Sequence, residues 1–197
     1  DAVITHPQST NLWLEYADLA NRIDTLQPPS NVPSPKKVTP ISVLKKALNA
    51  VPVADEGYVL LQIALFHALL TRRPSSHRKE AEAVFDKILL YSSPHVAPLS
   101  LAFLRRSVVE GGIEEGRRVY ETIFYGSGGN HLNCEGMDSF FEAVVALEKN
   151  ELLRGRKKAE VEARLRKIYG RIIAVCGKDE RGKLWRRKRD DDVGFEI

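Results

Sequence analysis

The sequence predicts an all-α chain, an α-solenoid of stacked antiparallel helical hairpins with about four to five repeats. Three observations lead there. One five-position apolar stripe recurs four times along the 197 residues, loops rich in proline or glycine separate the helical stretches, and no segment shows sustained period-two alternation.

The stripe occupies positions i, i+3, i+4, i+7 and i+8, which fall on one face of an α-helix. It begins at Pro40 and continues through Val43, Leu44, Ala47 and Leu48. It returns as Ala81, Val84, Phe85, Ile88 and Leu89, then as Gly116, Val119, Tyr120, Ile123 and Phe124. Its fourth appearance is Leu165, Ile168, Tyr169, Ile172 and Ile173. The starts lie 41, 35 and 49 residues apart, as insertions in the loops of a helical array would give. Each of these second helices follows a first. The first helices are expected over 11–22 (with Trp13, Tyr16, Ala17 and Ala20), over 57–70, over 94–109 and over 137–148 (with Phe140, Phe141, Val144 and Val145). The second of them is apolar on nearly all sides and reads as a helix sandwiched in mid-stack. Ser93-Pro94 is the expected N-cap and first turn of the third. Leu184-Trp185, echoing Leu12-Trp13, opens a fifth.

Residues 27–40 hold five of the ten prolines and read as an extended linker. Gly111-Gly112 is placed as a tight turn between antiparallel partners, and Gly126-Ser127-Gly128-Gly129 as a helix end followed by a loop. No hairpin buries its stripe alone, so stacking is what supplies the core. The organisation expected is one helical-repeat domain over 1–197 with a charged tail at 186–197. With Asp1 as first residue and Met137 as sole methionine, the expectation is a fragment or processed product of a longer protein. No charged-then-apolar leader opens it, and its longest apolar run suits a buried helix rather than a bilayer span.

The net charge of +4 conceals an asymmetry. Between Arg154 and Arg189 there are 15 Lys/Arg against 4 Asp/Glu, whereas the rest of the chain carries 15 against 22. Two clusters stand out, Arg154, Arg156, Lys157 and Lys158 at the start of the fourth second-helix, and Arg186, Arg187, Lys188 and Arg189 after the final tryptophan. These eight are the candidate contacts for RNA or an acidic partner, because such clusters neutralise phosphates. No catalytic, cofactor or metal set can be assembled. There is no phosphate-binding loop and no nucleophile elbow, and the five histidines are scattered; His67, on an apolar helix, reads as a core or interface residue. Cys134 and Cys176 read as buried thiols, and Asp190-Asp191-Asp192 as a solvated run. The expected class is therefore a non-enzymatic protein without small-molecule substrate, cofactor or membrane span.

Trp13-Leu14-Glu15-Tyr16 in a first helix and Arg117-Arg118-Val119-Tyr120-Glu121 in a second resemble the signatures of HAT (half-a-TPR) repeats. Ala83-Val84-Phe85-Asp86-Lys87 fits the second signature loosely, and Phe140-Phe141 with Glu148 is similar to a first helix ending in Glu. Later first helices lack the tryptophan, as Tyr58 and Pro98 show. The order of motifs from Ala81 to Trp185 also resembles the C-terminal HAT region of the U3 snoRNA-associated family in the UTP-B complex. Arg186 to Ile197 departs from that pattern. The resemblance implies a nuclear, nucleolar scaffold of the small-subunit processome. Its partners would be other protein subunits of an RNA-processing complex, with pre-rRNA or snoRNA contact. HAT scaffolds of mRNA splicing or 3′-end processing, and a direct RNA-binding module acting through the basic end, are the alternatives.

Overall fold

The computed structural model of the protein describes residues 2–26, 38–71, 74–91, 95–126, 132–133 and 136–194. Among these residues the regular structure is helical and contains no strand. No described helix is long and apolar enough to cross a membrane. The linker at 27–37, the Ser93-Pro94 cap, Ser127 to Gly129, His131, Cys134 and residues 195–197 lie outside the described residues. Where one domain was expected, the chain divides into two compact units, Asp1–Tyr91 and Ser92–Ile197.

The first unit holds α1 (Ala2–Thr5), α2 (Thr10–Leu26), α3 (Pro40–Ala50), α4 (Glu56–Thr71) and α5 (Pro74–Leu89). Pro40 belongs to α3 rather than to the linker. A capping box starts that helix. The Ser42 amide donates to Thr39 Oγ1 (3.2 Å), and the Thr39 amide donates back to Ser42 Oγ (3.0 Å). Val51 turns extended just before Pro52, a position where proline disfavours helical backbone, and α3 ends there. Helix α4 packs against α2, α3 and α5, so it buries several sides at once. That contact set accounts for its uniformly apolar sequence. Phe66 of α4 meets Phe85 of α5 with ring centroids 5.2 Å apart. His67 is exposed beside them, so of the core and interface positions expected for it the core one does not hold, because the α4 residues that face inward are Leu61, Gln62, Leu65, Phe66 and Leu69.

The second unit holds α6 (Val96–Tyr125), α7 (Met137–Leu153), α8 (Lys158–Cys176) and α9 (Glu180–Val193). Helix α6 starts at Val96 behind His95, two residues later than the sequence suggested. It is broken at Gly112, whose φ of 73° and ψ of −168° suit glycine alone. The two arms fold back on one another. A Cβ placed on Gly116 would come within 2.5 Å of Val108 and 3.7 Å of Leu104, a proximity impossible along a straight helix. The turn expected at Gly111-Gly112 is thus present. Successive helices α6, α7, α8 and α9 pack as neighbours. All twenty stripe positions except Leu48 and Ile173 are buried, so the recurrent pattern marks the core in both units.

The charged tail expected from 186 onward is instead helical as far as Val193. Trp185 is buried (1% exposed) and Val193 nearly so, and these two apolar anchors hold an otherwise polar helix in place. Phe124 stacks on Phe141 (5.8 Å), which meets Trp185 edge-on (5.9 Å), and Trp185 in turn touches Tyr169 (6.1 Å). Such aromatic pairs contribute beyond their buried area.

Candidate functional site

Three of the residues singled out in the sequence, Arg117, Tyr120 and Glu148, meet at one point of the second unit. Arg117, on the second arm of α6, directs Nε and Nη2 at the two oxygens of Glu148 on α7, each at 2.8 Å. Tyr120, one turn along, donates its hydroxyl to the same carboxylate at 2.8 Å. Arg164 of α8 adds an ion pair at 3.7 Å. Glu148 is fully buried and Arg117 nearly so. Burial opposes the Glu148 charge, but the hydrogen bonds from Arg117 and Tyr120 outweigh it and hold the carboxyl below its usual range. The bond to Glu148 pushes the Arg117 guanidinium up, and burial followed by the same anion pushes the Tyr120 hydroxyl up. Each group is therefore locked in its ordinary protonation state. The arrangement is a clasp joining α6, α7 and α8, not an acid–base pair poised to exchange a proton.

The eight basic candidates do not form one surface. Arg154 to Lys157 lie in the turn after α7, and only Lys158 is in α8, because the helix is interrupted at Gly155. Arg154 and Arg156 reach back to the buried Glu151 at 3.4 and 3.3 Å, and Arg117 approaches the same carboxylate at 3.6 Å. Lys157 and Lys158 point outward, with side chains 85% and 81% exposed, and pair weakly with Glu160 and Glu162. The second cluster lies on α9. There Arg186 donates to the Gly177 carbonyl at the end of α8, and Lys188 binds Glu142 (2.7 Å) over the face of Trp185. Arg189 pairs with Asp190, and Arg187 is exposed. Glu142, where the second cluster touches α7, is twelve residues before the turn that carries the first. That is about 18 Å along a helix.

Two acidic residues to which sequence reasoning assigned no role organise this end. Asp138, in the first turn of α7, accepts from the indole Nε1 of Trp185 (2.8 Å) and from Arg181 (2.9 Å). Asp192 accepts from Lys149 (2.7 Å) and from the Tyr169 hydroxyl, so the aspartate run at 190–192 is not merely solvated. Burial and then the Asp192 bond raise the Tyr169 hydroxyl. Lys149, Lys188, Tyr169, Trp185 and Asp192 line a cavity of about 460 Å³ between α7, α8 and α9. Lys149 pairs with Asp192 and Lys188 with Glu142 at its walls, and Asp191 adds one further acidic group. Trp185, Tyr169 and Lys188 carried sequence signals, but the two acceptors did not; the partners of Asp138 and Asp192 are 47 and 23 residues away. Cys176 is buried, and its surroundings push the thiol up, away from the reactive thiolate. No His, Cys, Asp and Glu side chains are grouped to hold a metal ion among the described residues. No protein-family model, no curated protein and no solved structure matches this chain.

Proposed function

We propose that the chain is a non-enzymatic HAT-repeat scaffold that mediates protein–protein assembly in a ribosome-biogenesis particle of the UTP-B and small-subunit-processome kind. The observation that carries the reading is the clasp. Arg117 and Tyr120 belong to the second-helix signature and Glu148 lies in the following first helix, α7, where its carboxylate accepts from both. A motif whose residues couple one hairpin to the next fits a repeat protein, in which stability comes from neighbour contacts. The buried stripes of both units suit the same architecture. Capture of partners from nuclear extract on the 197-residue chain tests the proposal. Enrichment of UTP-B-type subunits with U3 snoRNA supports it. Recovery of splicing or 3′-end-processing subunits in their place sinks the ribosomal assignment and points to the mRNA-processing alternative.

Direct RNA binding is a second reading, favoured by the outward Lys157 and Lys158 and the exposed Arg187. The pairing of Arg154, Arg156, Lys188 and Arg189 with carboxylates of the chain weighs against it. It predicts affinity for isolated RNA that falls steeply with salt and is lost when Lys157, Lys158 and Arg187 are made neutral. Binding that ignores both changes removes it.

A further inference from the structure

Helix α2 carries two apolar faces. Trp13, Ala17 and Ala20 are buried in the first unit. A second row runs Leu12, Tyr16, Leu19, Ile23 and Leu26, stepping by four, three, four and three residues, which is the spacing of a coiled-coil seam. Leu19 and Ile23 are about half exposed, Leu26 almost wholly so, and Leu12 and Tyr16 are partly open. The two halves of this row differ in shape. Its N-terminal half, with Ile4 of α1, borders a cavity of about 550 Å³ lined by Leu12, Tyr16 and Leu19. Its C-terminal half, Ile23 and Leu26, projects. One helix thus presents a hollow and a projection on the same face. That is what a self-complementary, two-fold contact requires.

We propose that this face of α2 packs antiparallel on α2 of a second copy of the chain. Antiparallel seams pair each a position with a d position. The register that does so and also aligns the flanking charges sets Leu12 against the partner's Ile23, and Tyr16 against the partner's Leu19. By symmetry each layer occurs twice. In that register Glu15 lies beside the partner's Arg22, again twice. Both residues flank the seam and are exposed, and Arg22 already leans along α2 to Asp18 at 2.6 Å. The other register with matched layers, one heptad away, sets Arg22 against the partner's Arg22. Charge therefore selects the first. The projecting Ile23 and Leu26 of one copy then reach the hollow of the other. Four layers of one helix pair lie at the small end of specific interfaces, so the dimer dissociates on dilution. The inference is independent of the scaffold function proposed above.

Sedimentation velocity of the 197-residue chain across a wide concentration range tests it. The expected result is a shift from the 22.1 kDa monomer to a species of twice that mass as concentration rises. Leu19→Asp abolishes the shift while the helical circular dichroism is kept, since Leu19 lies outside the core. Glu15→Arg and Arg22→Glu each weaken association by about tenfold, which corresponds to ~1.4 kcal/mol. The double exchange restores it. A monomer at every concentration, including one that instead binds a foreign helix on this face, overturns the proposal. So does a dimer indifferent to Leu19→Asp, or a double exchange without rescue.

Discussion

Arg117 grips Glu148 with two parallel hydrogen bonds of 2.8 Å across 31 residues of sequence, and both side chains are buried. Removing either partner strips the other of its two-pronged bond inside the core, leaving Arg117 only Glu114 and Glu151 and leaving Glu148 only Tyr120 and Arg164. Arg117→Ala and Glu148→Ala are each expected to destabilise the second unit by roughly 3–5 kcal/mol. The double variant costs less than the sum of the two, because the second removal strands nothing new. Two units in one chain forbid a single two-state fit. Denaturation is best followed through Trp185 in a Trp13→Phe background, which isolates the second unit.

The same clasp sets a pH window. Glu148 is held below the ordinary carboxylate value of about 4.3 in the folded state. Its contribution is complete above that unfolded value and disappears as pH falls toward the folded one. The stability gap between the wild type and Glu148→Gln is expected to narrow on acidification below about pH 4. Tyr120 acts with the opposite sign. Its folded value is raised, so its contribution is complete below about pH 10 and is lost as pH climbs further. Tyr120→Phe should flatten the alkaline limb and, by removing one of the bonds that lower Glu148, also shrink the acid limb. Urea midpoints measured across the pH range check both limbs.

The fold was largely legible because its signals are periodic. Val84-Phe85, Val119-Tyr120 and Ile168-Tyr169 sit at the same stripe positions, and all six side chains are buried. Gly112 was readable as a turn because its backbone excludes other residues. The site was less legible because charge pairing is a property of three-dimensional placement. Arg154 and Arg156 read as a phosphate-binding cluster, yet they serve Glu151, a buried acid three to five residues earlier. Arg186 to Arg189 looked like the start of a tail because composition alone cannot show that Trp185 and Val193 anchor the helix. The acceptors Asp138 and Asp192 have no local pattern that distinguishes them from any surface aspartate.

Helix α9 depends on Trp185 and its acceptor. Trp185→Ala is expected to cost roughly 3–5 kcal/mol, the usual range for emptying a buried aromatic site. Asp138→Ala keeps the ring but strands the indole N–H and the Arg181 guanidinium, at about 1–3 kcal/mol. Hydrogen exchange over 180–193 should rise sharply in both variants. The second arm of α6 should keep its protection, because the Arg117–Glu148 clasp lies on other elements.

Two glycines to alanine should move stability in opposite directions. Gly112 joins the arms of α6 at positive φ with extended ψ, a region essentially closed to residues with a Cβ. The space around it is open, so the penalty of Gly112→Ala is conformational rather than steric with neighbours. A loss of about 1–3 kcal/mol is expected, with the turn resisting replacement by any L-residue. Gly170 lies inside α8 in ordinary helical conformation, exposed, with no neighbouring atom within 4 Å of the point where an alanine Cβ would stand. There alanine restricts the unfolded chain and suits the helix, so Gly170→Ala is expected to gain roughly 0.5–1 kcal/mol. Thermal or urea denaturation followed through Trp185 reads both. Equal signs for the two substitutions would show that the break in α6 at Gly112 is not fixed by backbone conformation.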